Sequence, residues 1–321
     1  MAPDGMSSVQ ASLESAGLPT RDLADLPDSG LRFPDGAQYR IEIPSTEGPA
    51  CLAAVLEEAE RWDVPVHRVS QGSGVFMLTD AELRELATTA AASGVEVSLF
   101  ARPGAAWGPS ATAVAPAGGA VASAARGVEQ LVGQLEDIER AAQFGIRSVL
   151  IADIGTLWLF ERMRREGALP AEMQAKVSVM LPAANPASAR VLTDLGASTL
   201  NLPSDLTLPQ IAAIRAVVDI PLDLYIEAPD NLGGFVRMHE LPELIRVASP
   251  VYVKFGLRNA PDIYPSGSHL EATAVALTRE RVRRARLALE LLERTGATFA
   301  TSAPGAEGLA VPAAAFATAD P

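Results

Sequence analysis

The sequence predicts a (β/α)8 (TIM) barrel, on three observations. Short extended apolar runs recur eight times, helix-like stretches separate them, and most runs follow one another at roughly 22 to 29 residues, close to one βα unit. The runs are Tyr39–Ser45, Arg68–Ser73, Val95–Arg102, Ser148–Asp153, Lys176–Leu181, Thr199–Pro203, Pro221–Ala228 and Pro250–Leu257. The clearest helices are Pro49–Trp62, Asp80–Ala92, Val128–Phe144, Gly155–Arg165, Pro186–Leu195, Leu208–Val217 and Arg279–Arg294.

Local signals agree with this division. Thr79 followed by Glu82 makes a capping box. Pro209 falls in a first turn. Gly94, Gly145, Gly196 and Gly296 sit where helices should stop. No glycine-rich dinucleotide fingerprint follows the first strand, which argues against a doubly wound open sheet. The barrel is expected over residues 38–295. Residues 1–37 read as a flexible leader and 296–321 as a disordered Ala/Pro-rich tail. The third βα unit is the long one. Its excess, Pro103–Gly127, follows the C-terminal end of a strand, so it is expected to cover the mouth, with Trp107 able to lie over a ligand.

Strand parity assigns the barrel interior. Arg40 and Glu42, Glu96, Asn201, Asp223 and Glu227, then Lys254 and Arg258 point inward or rim the mouth. Buried charges must pair or bind something. Arg40, Glu96 and Asp223 lie early or mid-strand and read as an internal salt-bridge network. Glu227, Lys254 and Arg258 lie late in their strands, near the face where barrel active sites form.

From Lys176 the text becomes more specific: KVSVMLPAANPASARVLTDLGASTLNLPSDLTLPQIAAI, then PLDLYIEAP. A strand ending near Asn185, a helix, "LG", a strand, "LTLPQI" and a strand closing on Glu227 resemble the barrel of the collagenase-like peptidase family U32. The resemblance covers about Arg140 to Leu257. It implies a barrel enzyme and, by the family label, a hydrolase acting on a peptide or small molecule. The family's cysteine signature after the seventh strand is missing; Ala228-Pro229-Asp230-Asn231-Leu232-Gly233-Gly234 stands there instead.

The residues themselves suggest acid/base chemistry on a small polar or anionic substrate. Glu227 and Lys254 are the expected catalytic pair, from neighbouring strands. Arg102 and Arg258 are expected to hold a carboxylate or phosphate by two-point contact. Asn185, Asn201, His269 and Trp107 complete the expected substrate contacts. Glu42 and Asp153 are candidate ligands for a divalent ion, and such an oxygen set would suit magnesium or manganese. A metal-assisted isomerase or lyase fits the same groups, and so does a non-catalytic binding or assembly protein that keeps its polar interior only as a network.

Composition removes other classes. With 39 acidic and 26 basic residues the formal net charge is −13, so nucleic-acid binding is not expected. Cys51 is the single cysteine, which excludes an internal disulfide and a cysteine-ligated zinc site or iron–sulfur cluster within the chain. His67, His239 and His269 show no zincin spacing; His67 opens a strand at the barrel bottom and reads as structural. No membrane span is expected, and the first residues lack the features of a secretory signal, so the cytoplasm is the expected setting. A homo-oligomer stays open.

Overall fold

A computed structural model describes residues 7–22, 25–102 and 124–313. Eight parallel strands close into one ring, each hydrogen-bonded to the next in sequence and the last to the first. They are β1 (Tyr39–Pro44), β2 (Val66–Ser70), β3 (Glu96–Phe100), β4 (Ser148–Ile151), β5 (Gln174–Val177), β6 (Thr199–Asn201), β7 (Leu222–Glu227) and β8 (Val251–Phe255). The helices are α1 (Ser8–Ser15), α2 (Pro49–Trp62), α3 (Asp80–Ser93), α4 (Gly127–Gln143), α5 (Ile154–Arg165), α6 (Pro186–Asp194), α7 (Leu208–Arg215), α8 (Leu241–Ala248) and α9 (Glu271–Arg294).

The apolar core lies between strands and helices. Ile41, Ile43, Val97, Leu99, Leu222, Leu224 and Val253 share one parity and are buried against helix residues such as Leu52, Leu83 and Val282. Capping boxes start α3 (Thr79 with Glu82), α6 (Asn185 with Ser188) and α7 (Thr207 with Gln210). α8 has no counterpart among the clearest helices of the sequence, and α9 starts earlier than expected. The stretch Gly234–His239 is mostly irregular, with a 3-10 turn from Met238 leading into α8. α9 begins at Glu271 rather than Arg279; its first turn has no side-chain cap, so no local signal marked the start.

The tail corrects a larger expectation. Residues 300–313, expected to be slack, run beneath the N-terminal end of the barrel. Thr301 bridges Tyr39, Gly305 N–H donates to Gly94 O (2.8 Å), and Ala313 N–H donates to Gly145 O (2.9 Å). Gly94 and Gly145 terminate helices in the left-handed region, at φ 65° and 93°. A Cβ on Gly94 would meet Gly305 N at 2.7 Å, and one on Gly145 would meet Ala313 O at 2.3 Å. These glycines therefore end helices and admit the tail. Part of the leader packs too: Phe33 is buried under the Arg40 guanidinium, 4.0 Å from ring centroid to Cζ.

His67 ties tail to strand. Its Nδ1 accepts from Ile41 N–H (2.9 Å), so its Nε2 carries the proton donated to Ser302 O (2.7 Å). Burial, the largest influence, pushes its pKa down to about 4, keeping the ring neutral. Among the described residues no helix is long and apolar enough to cross a membrane.

Candidate active face and the charged barrel interior

The barrel interior is a fully buried ion network. Glu42 on β1 accepts from Arg68 Nε (2.8 Å), Ser70 Oγ (2.7 Å) and Lys176 Nζ, and Lys254 Nζ lies 3.5 Å away. Asp223 on β7 accepts from Arg68 Nη2 (2.5 Å) and Thr199 Oγ1 (3.1 Å) and sits 3.2 Å from Lys176 Nζ. Glu96 lies 3.7 Å from Arg68 Nη1. The Arg68 guanidinium also stacks on Tyr252, 3.5 Å from the ring centroid.

Three cations thus face three carboxylates. Burial works to raise the Glu42 pKa, but Arg68, Lys176 and Lys254 outweigh it and hold the carboxyl well below the usual range. Lys176 moves the other way: burial, then the Arg68 charge, lower it to about 7 despite Asp223 and Glu42. Small side chains on β3, β4 and β6 (Ser98, Ser148, Thr199) leave room for the long ones crossing the ring. Arg68 and Lys176 did not enter the sequence reading. Parity applied to β2 and β5 would have found them, since Val69, Ala175 and Val177 belong to the helix-facing core.

The expected Glu227–Lys254 pair is not formed. Up to Tyr225 the β7–β8 register follows simple parity, with Tyr225 opposite Lys254. It then shifts, so Glu227 lies opposite Phe255. Lys254 turns to Glu42 and to the Tyr225 ring, 4.2 Å from its centroid. Glu227 instead ends β7 beneath the β8–α9 connection. Its Oε1 accepts from Arg258 N–H (3.0 Å); its Oε2 lies 3.5 Å from Arg284 Nε on α9 and has no hydrogen-bond partner, although the residue is only 3% exposed.

The remaining expected residues are spread around the C-terminal face. Arg102, half-buried at the end of β3, donates to Gly72 O (3.0 Å). Arg258 is exposed and donates to Asp230 Oδ1 (2.9 Å). Asn201 is buried with Oδ1 unpartnered. Asn185 caps α6 and is exposed, and His269 is exposed in the β8–α9 connection. Trp107 and residues 103–123 of the expected covering loop lie outside the described residues.

The two candidate metal ligands stand in different surroundings. The Glu42 oxygens face cations and Ser70. Asp153 caps α5, accepting from Thr156 N–H (2.7 Å) and Ala125 N–H (3.0 Å). Among the described residues no group of three or more His, Cys, Asp or Glu is arranged to hold a metal ion.

The amides of Gly72 and Ser73, which could have held an external anion, hold the chain's own Glu47 (2.8 and 3.1 Å). A Cβ on Gly72 would come within 2.6 Å of the Tyr264 ring, so glycine lets the β8–α9 connection close on the end of β2. Tyr264 Oη is hydrogen-bonded to Ser45 Oγ, and Ser266 N–H donates to Ser73 Oγ (2.8 Å). Cys51 is buried nearby, and that burial pushes its thiol pKa up.

Comparisons with known proteins bear on the family. The profile of peptidase family U32 matches residues 123–228, from α4 to the end of β7. A solved U32 peptidase aligns at 17% identity with TM-score 0.38, covering 60% of this chain and 70% of that one. A lyase/mutase candidate from Burkholderia cenocepacia aligns at 19% identity with TM-score 0.43, covering 91% of each chain. A fructose-1,6-biphosphate aldolase candidate from Coccidioides immitis aligns at 14% identity with TM-score 0.46, covering 81% of this chain and 91% of that one. No curated protein matches. Over about a third of its length, within a closed (β/α)8 barrel, the chain is similar to peptidase family U32.

Proposed function

We propose that the protein is a barrel enzyme that works at its C-terminal face, by acid/base chemistry, on a small polar or anionic substrate. The observation that carries this reading is Glu227. Its carboxylate is fixed through Oε1 by a backbone amide, while buried Oε2 keeps its lone pairs free of hydrogen bonds beside Arg284. A general base needs such a group: held in place, sheltered from water, with one oxygen open to the reacting proton. Arg102 and Arg258, at the ends of β3 and β8, supply positive charge on the same face, and Asn201, His269 and Asn185 are its other polar contacts.

Lys254 keeps a supporting role in this reading, beneath Tyr225 and bound to the interior network. The U32 likeness favours hydrolysis with Glu227 activating water. Proton transfer next to a carbonyl, as in an isomerase or lyase, is the second reading. It needs no nucleophilic side chain, and the raised pKa of buried Cys51 disfavours a cysteine nucleophile.

The test is a thermal-shift screen of small carboxylates, phosphates and short peptides, followed by turnover of the stabilising compound. Glu227→Gln should fold and lose about 10²- to 10⁴-fold in turnover. Unchanged turnover in that variant overturns the assignment.

A further inference from the structure

Arg281 on α9 is 5% exposed, and among the described residues no carboxylate lies within ion-pair distance of it. Its Nη1 makes two long contacts, to Ser45 O (3.3 Å) and Thr278 Oγ1 (3.5 Å), and its Nε has no partner. The carboxylate that feels its charge, Glu47, is already engaged by Gly72 N–H, Ser73 N–H and Ser73 Oγ. The other titratable groups within its field are the Tyr264 and Tyr225 phenols and the Cys51 thiol, and burial drives all three toward their neutral forms. A buried guanidinium so poorly matched is costly to a folded chain unless something else completes it.

Its location is specific. Ser45 and Glu47 follow β1, Tyr264 belongs to the β8–α9 connection, and Tyr225 lies in β7 above Lys254. Arg281 therefore stands at the C-terminal face, three residues before Arg284, the side chain that approaches Glu227. We propose that Arg281 anchors an oxyanion, the carboxylate or phosphate group of a substrate, with one further O–H donor from the Ser45–Tyr264 hydroxyl pair, whose other proton is spent in the bond between them. A guanidinium presents paired N–H groups that match the two oxygens of such a group. The inference rests on the reading of this face as the working face, and it narrows the substrate to one carrying a carboxylate or phosphate.

The experiment uses the full chain with inorganic phosphate in one arm and malonate in the other. Binding is read by thermal shift and by the ¹⁵Nε resonance of Arg281. The expected result is saturable stabilisation by at least one anion, with movement of that resonance. Arg281→Gln should weaken the anion by about 10- to 100-fold, the worth of a charge-assisted hydrogen bond. Without anion, Arg281→Met should melt no lower than the parent chain, because it removes an unpaired buried cation.

The arm that binds identifies the oxyanion. An unmoved resonance with both anions overturns the proposal, as does equal stabilisation of the parent and Arg281→Gln chains. A clear fall in the melting temperature of anion-free Arg281→Met would assign Arg281 to the scaffold and overturn it too. Anion binding that needs Arg281, together with turnover indifferent to Glu227→Gln, would keep the anion site and reject the Glu227 assignment.

Discussion

Lys176 of β5 reaches across the barrel to the carboxylate of Glu42 on β1, and Arg68 of β2 joins that carboxylate to Asp223 of β7. The contacts tie strands on opposite sides of the ring, so the interior is fastened by charge where many barrels use branched apolar side chains. Such a network is fragile to single changes. Glu42→Gln or Lys176→Met should each cost about 3–5 kcal/mol, because each strands a buried charge, and the double variant should cost much less than their sum. Chemical denaturation of the three variants measures this; strict additivity would mean the two groups act independently.

Acid should weaken the protein through His67. Its pKa is held at about 4 in the folded chain against an ordinary value of 6.5. Between those values the unfolded chain binds the extra proton, so stability rises with pH across the window and falls as pH drops from 6.5 toward 4. The loss is on the order of 3 kcal/mol by pH 4. His67→Gln should flatten this part of the melting-temperature profile; an equally steep profile in the variant would assign the loss to other groups.

The tail should behave as part of the barrel. Ending the chain at Gly296 removes the Thr301 bridge, the Ser302 partners of Arg40 and His67, and the bonds to Gly94 and Gly145. At about 1 kcal/mol per hydrogen bond the melting temperature should fall by roughly 5 °C or more. An unchanged melting curve would show that residues 297–321 add nothing to stability.

Gly145→Ala tests the same contact from the other side. The left-handed backbone costs an L residue about 1–2 kcal/mol, and the new methyl would press on Ala313 O. The variant should lose at least that much by denaturation. In the truncated chain the penalty should shrink to the backbone part alone.

The barrel was legible because strand and helix signals alternate at a regular spacing, and because capping at Thr79 and Thr207 agrees with the periodicity. The interior was legible in part. Parity placed Glu42, Glu96, Asp223 and Lys254 in the ring, and the same rule left unused on β2 and β5 passed over Arg68 and Lys176. Glu227 shows where parity stops. The register shift after Tyr225 separates it from Lys254, and no feature of LDLYIE announces that shift. The tail was misjudged because its composition resembles linker, while it is held by the glycines that follow α3 and α4 and accept its backbone N–H groups. Arg281 is one of several arginines along α9, and its burial beside the end of β1, β7 and the β8–α9 connection shows only in the fold.

Whether Glu227 carries the chemistry is decided by comparing Glu227→Gln with Lys254→Met in one turnover assay, with the compound that stabilises the parent chain as substrate. Glu227→Gln should keep the parent melting temperature and lose about 10²-fold or more in turnover. Lys254→Met should lose stability first, having left Glu42 with one cation fewer. A stable, inactive Lys254→Met beside a fully active Glu227→Gln would move the chemistry from Glu227 into the barrel interior.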